Sequence, residues 1–119
     1  ANSGVFKGEF STSMSGGSRV TIKEENEYGT DGTYGSIRVY DNNNDKVIDI
    51  GFKDGNENSP YISITSGHGS TLSILSISTN RISIMNSTGV GESDEVWLDT
   101  MYGLRFFENG ILKKSYPAR

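Results

Sequence analysis

Apolar and polar side chains alternate one by one along most of this sequence, and a period of two admits little besides β-strands. In "SIRVYD", Ile37 and Val39 are set against Arg38 and Tyr40; in "KVIDIGF", Ile48, Ile50 and Phe52 are set against Asp49. The polar stretch Asp41-Asn42-Asn43-Asn44-Asp45 reads as the turn that makes these runs an antiparallel pair. Asn109-Gly110 stands between two β-rich runs, and both residues tolerate the positive φ that a two-residue hairpin loop demands. Asp31-Gly32 and Asp54-Gly55 mark further turns. No eleven-residue window carries the 3.6-residue period of an amphipathic helix. The fold expected is all-β, built from short antiparallel strands and hairpins.

Composition removes several kinds of chemistry. The 119 residues contain no cysteine and one histidine, His68, so disulfides, thiolate zinc sites, cysteine nucleophiles and multi-histidine cages are excluded. Apolar stretches are too short for a membrane-spanning helix or a signal peptide, so no membrane insertion is expected. A net charge of −4, with no basic run longer than Lys113-Lys114, argues against nucleic acid as a partner. No cofactor is expected.

Cut every ten residues, the middle of the chain reads "PYISITSGHG", "STLSILSIST", "NRISIMNSTG". Ile62, Leu72 and Ile82 fall in one column, Ile64, Ile74 and Ile84 in another, with serines 63, 73 and 83 between them. A fixed step of this kind suggests stacked or meandering strands, each too short to bury its own face. A plain monomeric meander would give the same sequence pattern. Hydrophobic residues make up only 33% of the chain, little for one copy to build an interior from. Three copies about a common axis would pool these columns into one apolar seam and cover exposed strand edges. The expectation is an intertwined homotrimer, a triple-stranded β-helix or a trimeric β-sandwich, with Ile62, Ile64, Leu72, Ile74, Ile82 and Ile84 as its core. Residues 1–119 read as a single β-domain: 1–34 as N-terminal strands and loop, 35–58 as a hairpin, 59–90 as the repeat region, 91–119 as C-terminal hairpins.

Three stretches resemble the tail-fibre, tail-tip and baseplate proteins of tailed bacteriophages, especially those that infect Gram-positive bacteria. "ANSGVFKGEFS" looks like their short "xxGxFxGxxS" units. "GSIRVYDNNNDKVIDIGF" is similar to their strand–"YDxxGxK"–strand hairpin, with Asn44-Asp45 where a glycine is common, and "YGLRFFENGILKKSYP" looks like a terminal segment. The likeness covers a little under half of the chain. It implies the C-terminal fragment of a longer fibre protein, and the start at Ala1 without methionine fits an upstream portion. It also implies an extracellular virion domain, partnered by other phage tail proteins, that attaches to a host-cell surface saccharide or teichoic acid. No catalytic residue is carried over.

Sugar recognition needs aromatic faces together with hydroxyl, amide or carboxylate groups. In "SDEVWLDTMY", alternation puts Glu95, Trp97 and Asp99 on one face and Val96 and Leu98 on the other, with Tyr102 close by. Val96 and Leu98 are the pair expected to be buried. Trp97 is then either a sugar platform or the cover of a subunit boundary. Tyr28 and Tyr34 bracket the glycine-rich "YGTDGTY", a recognition loop unless Tyr34 simply opens the next strand. His68 sits between glycines at a loop tip, either solvated or, in a trimer, one of three ligands to an axial ion. Asp41 to Asp45 begins like a calcium loop, but Lys46 and Phe52 stand where glycine and glutamate are required, so no metal site is assigned. Two other functions use the same residues. A glycan-degrading enzyme, such as a hyaluronate lyase, would draw on Asp94, Glu95 and Asp99 as acid and base, or on Tyr102 as base. A trimerisation or spacer domain would need only the repeat.

Overall fold

The computed structural model describes residues 9–13, 16–25, 34–53, 56, 58–67, 72–89 and 91–117. It is all-β, as the alternation requires, with no α-helix among the described residues. Ten strands follow in chain order: β1 (Glu9–Ser11), β2 (Arg19–Glu25), β3 (Tyr34–Tyr40), β4 (Lys46–Phe52), β5 (Pro60–Ser66), β6 (Ser73–Ser78), β7 (Arg81–Gly89), β8 (Glu92–Asp99), β9 (Gly103–Glu108) and β10 (Ile111–Tyr116). The chain divides into two compact units, Ala1–Pro60 and Tyr61–Arg119.

The first unit is an antiparallel meander of β1 to β4. Its register lines up Ile22, Ile37 and Ile50 across three strands, and Val20, Val39 and Ile48 beside them. The intervening positions line up Thr21, Arg38 and Asp49. The sense of the two faces is the reverse of a soluble sheet's usual one. Ile22, Ile37 and Ile50 are exposed, whereas Thr21, Glu25, Tyr34, Ser36, Arg38 and Asp49 are buried. Buried charge is tolerated only when it is paired. Here Arg38 reaches Glu25 Oε1 at 3.0 Å and Asp49 Oδ1 at 3.2 Å, while Lys46 Nζ lies 3.2 Å from Asp49 Oδ2.

The turn between β3 and β4 takes a backbone conformation that glycine favours, without a glycine. Asn44 has φ of 66°, the left-handed conformation that glycine adopts without cost and that asparagine tolerates best among the others. Asp41 Oδ1 accepts the backbone N–H of Asn43 and of Asp45, at 2.9 and 3.0 Å, and Arg19 donates to Asn44 Oδ1. The polar run is a self-bonded turn. Asn109 and Gly110 both take positive φ, 51° and 78°, so the β9–β10 loop is the expected tight hairpin. Asp31-Gly32 and Asp54-Gly55 lie outside the described residues.

The second unit is a meander of β5 to β10. Its register corrects the ten-residue columns. Ile62 faces Ile77, which faces Ile82; Ile64 faces Leu75, which faces Ile84. Leu72 lies ahead of β6, and Ile74 pairs with Thr65 and Met85 on the opposite face. The reason is direction. A translational repeat stacks its columns only in parallel strands, and here each strand runs opposite to its predecessor. Only alternate strands keep the step, which is why Ile62 with Ile82 and Ile64 with Ile84 survive as columns. Leu72 and Ile74 drop out of these columns, and Leu75 and Ile77 take their places.

Candidate functional site

On one face of the second unit, β7, β8 and β9 bring together Arg81, Trp97, Asp99 and Arg105, with Tyr102 in the β8–β9 turn. Register does most of this: Arg81 sits opposite Asp99, and Trp97 opposite Arg105. Arg81 donates to Asp99 Oδ2 through Nε and Nη2 at 3.2 and 3.1 Å, and Arg105 Nη2 approaches the same oxygen at 3.5 Å. Asp99 Oδ1 accepts the backbone N–H of Tyr102 at 2.6 Å and of Met101 at 3.0 Å, closing the turn. The Tyr102 N–H, more than any other contact, holds the Asp99 carboxyl below the ordinary carboxylate range. Burial pushes the other way, and Arg81 and the Met101 N–H reinforce the lowering. Asp99 is therefore a fixed anion with both oxygens engaged, unsuited to donating a proton.

The aromatic surface is engaged as well. The Arg81 guanidinium lies 3.9 Å from the centre of the Trp97 ring; that of Arg105 lies 4.9 Å from Trp97 and 4.2 Å from Tyr102. Phe107 packs on Trp97 at 4.5 Å, tilted by 47°. Arginine over an aromatic face is attracted by the ring's quadrupole. This cluster was only half visible in the sequence, which put Glu95, Trp97 and Asp99 on one face but missed both arginines. A hairpin folding beside Gly91 is the signal that pairs Arg81 with Asp99.

The other candidate residues separate. Glu95 shares the face of Trp97 but pairs with Met85 and Phe107. Four residues along a strand, its Cα is roughly 13 Å from that of Asp99. Asp94 points to the opposite face, where it pairs with Asn86. Tyr34 opens β3 and is buried, edge-on to Phe52 at 6.3 Å between ring centres, which removes it from an exposed recognition loop. Tyr28 and His68 lie outside the described residues, and among those described no cluster of His, Cys, Asp and Glu is fit to hold a metal ion.

Of the pair expected to be buried, Leu98 is 52% exposed and Val96 half-buried. They belong to two apolar rows that cross all but the last strand of the unit. One runs Ile62, Ile77, Ile82, Leu98, Leu104, and the other Ile64, Leu75, Ile84, Val96, Phe106. Neither row contains a charge, and Ile84 at its centre is 55% exposed. A contiguous apolar face of this kind marks a surface that something covers. Comparison with protein-family models, curated proteins and solved structures finds no match to this chain.

Proposed function

We propose that the chain is the host-attachment domain of a phage-type tail fibre, an extracellular virion module that works as a homotrimer and holds a cell-surface saccharide or teichoic acid. The observation that carries this reading is the pair of open apolar rows across β5 to β9, neither of which contains a charge. A face of that composition is unstable in water by itself and suits another copy of the same surface. The strand edge beside it is guarded differently. β10 bears Lys113 and Lys114 and a bulge between Leu112 and Lys114, features that discourage edge-to-edge pairing. Association through the face is what remains. The number three comes from the shortage of core in one copy and the apolar columns of the sequence, and the saccharide from the family resemblance.

Light scattering of the purified chain at micromolar concentration tests the assembly: a trimer mass for the wild type and a smaller species for Ile84→Lys are expected, and a wild-type monomer overturns it. Binding of the labelled chain to whole Gram-positive cells tests attachment, and silence on every strain favours a spacer. That second reading has an observation of its own, since guanidinium groups already lie over the ring that a sugar would stack on. Catalysis is the weaker alternative. Paired glycosidase carboxylates stand roughly 5–9.5 Å apart, whereas Glu95 and Asp99 are spread along a strand and Asp94 faces away.

A further inference from the structure

The polar face of the second unit holds more positive charge than it answers. Arg81 and Arg105 converge on the single carboxylate of Asp99, and among the described residues neither has another ion pair. Glu95, the other carboxylate of this face, pairs with neither arginine. Arg81 commits one edge of its guanidinium, Nε and Nη2, to Asp99; its side chain is 39% exposed and its Nη1 has no partner among the described residues. Arg105 is only 16% exposed, yet it meets Asp99 through Nη2 alone, at 3.5 Å, and its buried Nε donates to no described group. A guanidinium this far from water calls for a full counter-charge and partners for its donors. Under-paired buried groups of this kind point to a bound ion or water.

We propose, resting on the attachment reading, that Arg81 and Arg105 seat the phosphodiester of a polyol-phosphate chain, the anionic one of the two surface ligands. A phosphodiester carries one negative charge and two free oxygens, which matches the one uncompensated cation and the two forks that converge here. The rings prepare the seat. Arg81 lies over Trp97 and Arg105 over Tyr102, so both guanidinium planes are oriented before a ligand arrives. Guanidinium over the Trp97 face blocks the stacking of a neutral sugar, and the same arrangement favours an anion. The row through Trp97 and Arg105 continues across the sheet as Ser83, Ser76 and Ser63, half-buried hydroxyls suited to the polyol. Trp97 alternates with Val96 and Leu98, so the seat is on the face opposite the two apolar rows, and a copy that covers those rows does not cover it.

Titration calorimetry on the intact chain tests this with four probes: a glycerol phosphate oligomer, a neutral maltodextrin, an oligogalacturonate and a single-stranded oligonucleotide. The glycerol phosphate oligomer is expected to bind about tenfold tighter than the maltodextrin, the size of one charge-assisted hydrogen bond, and to weaken as salt is raised. Arg81→Gln and Arg105→Gln each weaken it by about the same factor. Arg81→Gln keeps the wild-type circular dichroism spectrum, since Asp99 is still held by Arg105 and two backbone N–H groups. Binding of the oligomer no tighter than the maltodextrin, or an affinity that Arg81→Gln leaves unchanged, overturns the proposal. So does tighter binding of the oligogalacturonate, which assigns the seat to carboxylates, or of the oligonucleotide, which assigns it to nucleic acid. Whole-cell binding separates the two levels. Cells bound equally by wild type and Arg81→Gln strike the seat and leave attachment standing. No cells bound, with the oligomer still held through Arg81, strikes attachment and leaves the seat.

Discussion

The two units bury the same kind of face in different ways. In the first, charge is matched against charge: Arg38, with a side chain 4% exposed, lies between Glu25 and Asp49, and Lys23 and Lys46 approach the same carboxylates. In the second, Arg81 is 39% exposed, shares the carboxylate of Asp99 with Arg105, and rests on Trp97. One polar face is closed by ions out of water, the other by arginine laid on aromatic rings at its edge. Buried ion pairs contribute little net stability when intact, yet are costly when one partner is lost. A pair with one partner open to water, as Arg81 is over the buried Asp99 carboxylate, contributes less. The same residue type therefore carries different weight in the two units.

The largest effect is expected at Arg38. Arg38→Met withdraws the guanidinium from between the buried carboxylates of Glu25 and Asp49, a loss of about 3 kcal/mol, the lower end for breaking a buried pair. Arg81→Met, with Asp99 still held by Arg105 and two backbone N–H groups, costs roughly 0–1 kcal/mol. Urea denaturation read by circular dichroism ranks the two. Equal losses would mean that the first unit's ions are as wet as the second's, and the contrast would disappear.

Next in size is a backbone effect confined to the second unit. Gly103 has φ of +78°, and a Cβ there would collide with the carbonyl oxygen of Tyr116, its neighbour across the β9–β10 ladder. Gly91 has a similar φ, +73°, with open space around it. Gly91→Ala carries only the left-handed penalty, about 1 kcal/mol. Gly103→Ala adds the collision and should reach about 2–3 kcal/mol. Thermal melts of both variants check the difference; equal losses would show that β10 moves aside freely.

Much of this was legible before any coordinates. Alternation gave the strands, Asn109-Gly110 the last hairpin, and "EVWLD" the shared face of Glu95, Trp97 and Asp99. What alternation cannot say is which of its two faces turns inward. It divides Ile37 from Arg38 equally well in either sense, and in this chain Arg38 is the buried one and Ile37 the exposed one. Register was the other gap. A ten-residue step looks the same in parallel and antiparallel strands, so Leu72 and Ile74 were placed in a column that belongs to Leu75 and Ile77. The arginines on Trp97 were hidden for the same reason, since their sequence separation has meaning only once the hairpins are folded. Asn44 itself marks a left-handed turn position, since asparagine is the usual substitute where glycine's conformation is required.

The smallest expected effect separates the units by pH. Asp99 has its carboxyl lowered below the ordinary value of 3.8, chiefly by the Tyr102 N–H. A group held lower in the folded chain than in the unfolded one binds fewer protons when folded. Its contribution to stability is therefore complete above the ordinary value, declines as pH falls below it, and is gone once pH passes the folded pKa. Asp99→Asn should lose the contribution at neutral pH and with it this part of the acid dependence, so the stability gap between wild type and variant narrows as pH falls below 3.8. Trp97, the single tryptophan, stands beside the carboxylate's arginine partners and reports on this unit directly. Its emission, followed through urea titrations at a series of acid pH values, is the measurement. A gap that stays constant through the acid range would show that Asp99 acts as a turn-former through shape alone, with its charge left to solvent.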